Sequence, residues 1–491
     1  MVAAHDLSSE AAGGCSAVLA LRVPAVRFTS AVTHRPGGSI QVAHCKVTGV
    51  VAPAARFALL LPERWNGGLF MGGGGGFVGT IENDAESTVN AGYATVGTDT
   101  GHRGTELQAS WALNHERRLL DYGHLAVHRT ATAAKAIVRA YYGRNPAHSY
   151  FLGCSNGGRQ AMMEAQRYPA DFDGIVAGAP ALDFTGIAAQ FVRDTQIAYP
   201  DPARLTPLFS RDNLAFLERT ILASCDTLDG VLDGVLEDPR RCKLTASSLP
   251  ACAGDRPAST CFTQAQREAL GGLYAPVTSG TRVIRPGQPF GGEGDPDGWQ
   301  TWITGGNPSV LAEAGMPSLQ MAFGTEFFKY LIFNNPAWQY SRYDLATWNT
   351  TTPWQRVSAM VDATSLDLAS FRSMGHKIVM WHGWSDPAIT ALGSIDYYER
   401  VQRRDPATAD FFRLFLMPGV LHCSGGAGPD HADWASAIAG WVERGDPPDR
   451  VIATKIANGA IVRARPVCPY PQHAVYTAGN TDAADSFVCR P

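Results

Sequence analysis

The chain has 491 residues, of which 45% are hydrophobic and 18% charged, and a net charge of −4. A chain of this length can bury a large core and is expected to form one big domain with a substantial insertion. It has no basic block, which argues against a nucleic-acid partner and against steering of an anionic polymer, and no apolar stretch approaches the length that spans a membrane.

Residues 50–61 carry alternating and apolar strand-like sequence, and Gly67-Gly68-Leu69-Phe70-Met71 leads into an all-glycine run at 72–76. Tyr93-Ala94-Thr95-Val96-Gly97-Thr98-Asp99 reads as a further strand. Over 126–142, Val127, Ala131, Ala134, Ile137 and Val138 fall on one face of an amphipathic helix. Strand and helix alternate, as a mostly parallel sheet requires.

The next strand, Ser149-Tyr150-Phe151-Leu152, enters Gly153-Cys154-Ser155-Asn156-Gly157, and a helix-like sequence leaves it. Gly-x-Ser-x-Gly between a strand and a helix presents a serine nucleophile. The small residues permit the sharp turn that exposes Ser155 Oγ, and the helix N-terminus favours developing negative charge. A bare motif of this kind is equally compatible with a glycine-rich turn, so the rest of the chain decides.

From 206 to 365 the alternation gives way to Pro, Gly, Trp and short helices with two local cysteine pairs, which predicts a lid inserted into the core. The lid contains Cys225-Asp226-Thr227-Leu228-Asp229-Gly230-Val231-Leu232-Asp233-Gly234-Val235, whose three aspartates and turn glycines can wrap oxygens around a hard cation such as calcium. The spacing is not that of an EF-hand, and the alternative is a solvated acidic turn. Phe323, Phe327, Phe328 and Tyr330 form an aromatic group at helical spacing, read as lid core with one or two rings able to stack on an aromatic acyl group.

Regular alternation resumes near 374. Lys377-Ile378-Val379-Met380-Trp381 reads as a buried strand leading to Asp386, and Phe411-Phe412-Arg413-Leu414-Phe415-Leu416-Met417 as another leading to His422. Ser, Asp and His thus occur in the chain order of an α/β-hydrolase triad, each after a strand. If the triad assembles, Cys154 beside the nucleophile and Cys423 beside the base come close enough for a disulfide. The domain reading is therefore a hydrolase core at 1–205 and 366–491 with a lid at 206–365.

Gly-Cys-Ser-Asn-Gly-Gly-Arg at 153–159, Trp-His-Gly-Trp-Ser-Asp-Pro at 381–387, His-Cys-Ser-Gly-Gly at 422–426 and Gly97-Thr98-Asp99-Thr100-Gly101-His102 together resemble motifs of the tannase and feruloyl esterase family, over nearly the whole chain. The resemblance implies an α/β-hydrolase fold with a large lid and a serine carboxylic-ester hydrolase acting on aromatic esters, free or attached to plant polysaccharide or polyphenol. The elbow most resembles sequences described as feruloyl esterases; tannase and mono(2-hydroxyethyl) terephthalate hydrolase are the alternatives, and a non-catalytic calcium-dependent binding protein is the alternative of a different class. The resemblance also implies a structural calcium held by the carboxylates of Asp226, Asp229 and Asp233 and the carbonyls of Val231 and Val235. It supports pairing Cys15 with Cys45, Cys154 with Cys423, Cys225 with Cys242, Cys252 with Cys261, and Cys468 with Cys489.

The glycine run at 72–76 is followed by neither a phosphate-binding lysine nor a dinucleotide fingerprint. It reads as the oxyanion loop, with Asn156 N–H and the N–H of Gly75 or Gly76 as donors; a flexible turn is the alternative. His102 reads either as an active-site rim residue or as a histidine holding a loop. The cysteines point to an oxidising compartment, secreted or periplasmic. Met1-Val2-Ala3-Ala4-His5 lacks a leader's charged start and apolar run, so a leader is expected to have been removed.

Overall fold

The structure, a computed structural model, describes residues 14–491. The Met1–His5 reading lies outside them. The strands are β1 (Val26–His34), β2 (His44–Val51), β3 (Ala55–Pro62), β4 (Gly68–Gly72), β5 (Ala94–Thr98), β6 (His148–Cys154), β7 (Gly174–Gly178), β8 (Val277–Ser279), β9 (Arg282–Arg285), β10 (Lys377–Gly383), β11 (Phe412–Met417), β12 (His431–Ala432), β13 (Val451–Ala457), β14 (Ala460–Val467), β15 (His473–Tyr476) and β16 (Phe487–Arg490). The main sheet has the order β1-β2-β3-β5-β4-β6-β7-β10-β11. Pairing is antiparallel from β1 to β5 and parallel through β5, β4, β6 and β7. The sequence pattern follows this change. β2 alternates buried and half-buried residues, whereas β4, β5 and β7 are buried at every position, as parallel strands covered on both faces must be.

Two compact units divide the chain: Met1–Leu182 with Met360–Val379 and Ala435–Pro447, and Asp183–Ala359 with Met380–Trp434 and Pro448–Pro491. The first break thus falls at Leu182 rather than at 205, and residues after 366 are shared between the units. The reason is visible in the helix Phe184–Ala198, whose Phe184 packs edge-on against Phe327 at 4.9 Å, so the helix belongs with the segment it contacts.

In the first unit the helix Ala126–Tyr142 forms as the periodicity predicts. Val127, Ala131, Ala134, Ile137 and Val138 are all buried, and Gly143 ends the helix in the left-handed conformation at φ 77°. The inserted segment of the second unit has its own core, in which Leu214, Leu217, Ile221, Phe262, Leu270, Leu273 and Trp299 cluster. Its helices start at capping boxes, Ser210 with Asn213 and Thr263 with Gln266, and its loops are closed by Cys225–Cys242 and Cys252–Cys261. The tail adds a three-stranded sheet, β12-β13-β14, and a β15–β16 hairpin fastened by Cys468–Cys489. Cys15–Cys45 ties the first described turn to β2. Cys154 and Cys423 are each disulfide-bonded, and no described cysteine is free.

Candidate active site

Ser155 sits between β6 and the helix Asn156–Arg167 with φ 61° and ψ −122°, a conformation that L-residues avoid unless the surroundings impose it. The surroundings are tight. A Cβ on Gly153 would lie 2.6 Å from the Gly157 carbonyl carbon, and one on Gly157 would lie 2.9 Å from Asp84 Oδ2. Glycine at both positions lets strand, turn and helix approach this closely. Asp84 Oδ2 also accepts the Cys154 N–H at 3.0 Å, and the Ser155 N–H donates to Gly178 O at 3.0 Å.

Asn156 opens the helix and is bound to the glycine run by its side chain: Nδ2 donates to Gly74 O at 2.8 Å. Tyr122 OH lies 2.9 Å from Gly76 O and 3.1 Å from Asn156 Oδ1. Arg159, with no exposed surface, donates from Nε to Asn156 Oδ1 (2.8 Å), from Nη1 to Gly123 O (2.8 Å) and Val361 O (3.1 Å), and from Nη2 to Tyr122 O (3.2 Å). Tyr122 and Gly123 lie in a π-helical turn, Asp121–Leu125, a form that often marks functional sites. Elbow and glycine loop are therefore one hydrogen-bonded body. Sequence reading missed Tyr122 and the role of Arg159; the signal available was the Arg that closes the elbow motif.

The two candidate oxyanion glycines differ. Gly75 N–H donates to Glu82 Oε2 at 2.6 Å, whereas Gly76 takes a positive φ of 46° with its carbonyl held by Tyr122. His102 is 5% exposed, stacked on Trp111 at 3.8 Å, with Nε2 2.9 Å from Phe77 O. Burial lowers its pKa to about 4. It is thus a neutral loop-holding residue, the second of its two sequence readings.

In the second unit, the turns after β10 and β11 bring Asp386 and His422 together, with Asp386 Oδ2 2.7 Å from His422 Nδ1. Asp386 Oδ1 accepts the N–H groups of Ala388 and Ile389, each at 2.8 Å. Burial alone would raise its pKa, but the imidazoles of His422 and His382 outweigh this and hold it well below the usual carboxylate range. His382 Nε2 is 2.7 Å from Ile389 O and 3.3 Å from Asp386 Oδ2, while its Nδ1 meets Ser394 Oγ at 2.8 Å. The backbone thus holds Oδ1 while Oδ2 meets the His422 imidazole, the arrangement that orients a histidine base. Trp302, another residue that sequence reading missed, stands edge-on to His422 at 4.9 Å, and Phe323 stacks on Trp302 at 6.0 Å. Of the predicted aromatic group, Phe327 and Phe328 are fully buried, and Phe323 faces Trp302 beside the histidine.

Residues 39–490 match the tannase and feruloyl esterase family. The chain belongs to that family. Among its relatives are mono(2-hydroxyethyl) terephthalate hydrolase of Piscinibacter sakaiensis (34% identical, over 91% of this chain and 84% of that one) and feruloyl esterase B of Aspergillus niger (30% identical, 91% and 86%). The crystal structure of feruloyl esterase B from Aspergillus oryzae superposes with a TM-score of 0.84 at 25% identity, covering 97% of this chain and 99% of that one. The fold is of the α/β-hydrolase type and the protein is a carboxylic ester hydrolase.

The esterase's acidic loop borders a cavity of about 20 Å³, lined by Asp229, Val231, Asp233, Val235 and Glu237 together with Arg463 and Arg465. That is room for one ion or water. Asp226, which does not line it, accepts the N–H groups of Asp233 (3.3 Å) and Gly234 (3.0 Å) and so holds the turn. Asp233 Oδ2 meets Arg465 at 2.6 Å, and Glu237 Oε1 accepts the Ala474 N–H at 2.8 Å, so the tail is anchored on this loop. Burial, with the neighbouring carboxylates of Asp229 and Asp233, drives Glu237 up to about 8 despite the Ala474 N–H. Arg463 and Arg465 line the same cavity and meet Asp233, and the carboxylates and carbonyls beside them are oxygen donors of the kind that takes a hard cation. Among the described residues no helix is long and apolar enough to cross a membrane.

Proposed function

We propose that this esterase releases aromatic acids from their esters, preferring feruloyl or related hydroxycinnamoyl groups, through a Ser155–His422–Asp386 triad. The contact of Asp386 with His422 at 2.7 Å carries this reading, since a buried ionised carboxylate on the far nitrogen is what a histidine base needs. In the first step His422 Nε2 takes the Ser155 proton as Oγ attacks the ester carbonyl. The tetrahedral oxyanion is met by the N–H groups of Asn156 and Gly76; the engagement of Gly75 by Glu82 favours Gly76 over its neighbour. His422 then protonates the leaving alcohol, and water activated by the same imidazole releases the acid. Trp302 and Phe323 supply the aromatic surface for the acyl ring. A bridge between Cys154 and Cys423, each of which is oxidised, would tie base to nucleophile.

Calcium belongs to this reading as a structural ion, held by the carboxylates of Asp229 and Asp233 and the carbonyls of Val231 and Val235, with Glu237 facing the same cavity and Asp226 holding the turn that carries them. It takes no part in the chemical steps. The oxidised cysteines support a secreted or periplasmic location, and the partner is a small aromatic ester, free or carried on plant polysaccharide or polyphenol. The relative that hydrolyses mono(2-hydroxyethyl) terephthalate favours a second reading, a terephthalate monoester.

The test is the initial rate on methyl ferulate, methyl gallate, mono(2-hydroxyethyl) terephthalate and a short p-nitrophenyl ester, with Ser155→Ala as blank. Ferulate is expected to be fastest and the blank inactive. Preference for terephthalate or gallate would replace the substrate assignment; equal rates in Ser155→Ala would remove the nucleophile; no turnover of any ester would leave the calcium-dependent binding protein.

A further inference from the structure

A separate donor cluster lies in the first unit. His128 on the helix Ala126–Tyr142, Glu164 on the helix Asn156–Arg167 and Asp171 in the turn after it offer ligand atoms that all lie within 4.8 Å of one another. His128 Nδ1 and Asp171 Oδ2 are 2.6 Å apart. Glu164 is 1% exposed, and neither of its buried carboxylate oxygens has a donor in hydrogen-bond geometry, so a bond to Asp171 would need a shared proton. The Asp171 carboxylate faces it closely enough to interact. A buried carboxyl turned on a second carboxyl needs a proton or a cation between them. Lys135 lies within electrostatic reach of both; its ammonium donates to the Asp171 carbonyl oxygen, and neither Glu164 oxygen takes a hydrogen bond from it.

We propose that His128, Glu164 and Asp171 bind a divalent transition-metal ion of zinc type. One imidazole nitrogen with two carboxylates suits such an ion, whereas the all-oxygen acidic loop suits a hard one. The imidazole is oriented in advance. The Tyr168 ring stacks on it at 3.9 Å and 9°, and Tyr168 OH is itself fixed by His124 Nδ1 at 2.7 Å. Zinc–ligand bonds of roughly 2.0–2.1 Å put tetrahedral neighbours about 3.3 Å apart, so loading the site opens the His128–Asp171 pair by less than about 1 Å. The side chains of His128 and Asp171 are 34% and 14% exposed, which gives the ion an entry and leaves a position for water. The bound ion would clamp the helix that starts at Asn156 to the helix carrying His128.

The experiment is isothermal titration of the metal-stripped protein with zinc chloride in excess calcium chloride, so that the acidic loop is filled. Thermal unfolding is followed with and without zinc. Every described cysteine is oxidised, so none competes for the metal. Wild type and Asp229→Asn are expected to take one equivalent and to unfold at higher temperature with zinc. Glu164→Gln and His128→Gln should bind roughly a hundredfold more weakly or not at all, and should show no zinc-dependent shift. If Glu164→Gln fails to fold, the more exposed His128→Gln gives the same reading. No saturable uptake by wild type, as expected if only a proton is shared between Glu164 and Asp171, would overturn the proposal. So would uptake retained in both variants.

Discussion

Arg159 carries a full charge into a place without exposed surface, and four acceptors converge on its guanidinium: Asn156 Oδ1 and the carbonyls of Tyr122, Gly123 and Val361. Arg159→Leu would remove a charged donor from each, at about 1–3 kcal/mol per bond, partly relieved by relaxation and by Tyr122 OH, which stays beside Asn156 Oδ1. The expected loss is about 3–5 kcal/mol in urea unfolding, with kcat falling as Asn156 loses its anchor. At Asp386 the expectation is the reverse, a catalytic loss without a stability loss of that size. Asp386→Asn keeps the shape but reverses the polarity presented to His422 Nδ1, so kcat should fall by about 10⁴-fold on a p-nitrophenyl ester. A fall of less than tenfold would mean that His422 is not oriented from this side. The elbow and the two strand-end residues were legible in sequence because their chemistry is carried by motif letters. Tyr122, Trp302 and the buried Arg159 contacts were not, since aromatic and arginine residues look alike in core, surface and site until their neighbours are known.

At the scale of elements, the acidic loop is held by a covalent closure, a tail and the proposed ion. Cys225–Cys242 spans a sequence separation of 17 residues, worth about 3 kcal/mol in the chain-entropy model. The tail contributes Arg463, Arg465 and the Ala474 N–H, and Val231 of the loop packs with Ala474 and Phe487. Chelation is therefore expected to lower the unfolding temperature by several degrees, and more so in a Cys225→Ser/Cys242→Ser protein, because loop closure and ion ordering restrain the same chain. An unchanged melting curve in chelator for both proteins would argue against the ion. The sequence marked the loop by its aspartates and turn glycines. It gave no sign of the arginines that meet Asp233, more than 200 positions away.

For the whole molecule, acid stability is set by buried groups of opposite sense. His102 titrates at about 4 when folded and near 6.5 when unfolded, because burial disfavours its charge. The unfolded chain takes up that proton first, so this contribution, up to about 3 kcal/mol, is present above pH 6.5 and lost as the pH falls toward 4. Glu293, fully buried with Oε1 2.8 Å from Tyr274 OH, is raised to about 7 by burial. The folded state binds its proton first, so this group adds stability as the pH falls from about 7 toward 4.5. The wild-type profile sums such terms. Urea unfolding at pH 7, 5.5 and 4 should show a weaker acid-side loss in His102→Gln than in wild type, and the loss of an acid-side gain in Glu293→Gln. Parallel profiles for wild type and His102→Gln would mean that His102 is not buried neutral.

The sequence by itself determined the alternation of strand and helix, the elbow at Ser155, the chain order of the proposed nucleophile, acid and base, the break in alternation after 205, and the even cysteine count. These are local matters of periodicity, turn sterics and motif chemistry, which need no knowledge of distant neighbours. Only the tertiary structure decided that the helix Phe184–Ala198 belongs with the segment it contacts, that Gly75 is engaged by Glu82 while Gly76 is held through Tyr122, that His102 is a loop holder, and that the tail closes over the acidic loop. Each depends on a contact between residues whose separation along the chain carries no periodic signal, and on burial, which alone fixes whether a polar side chain acts as a charge, a hydrogen-bond partner or a ligand.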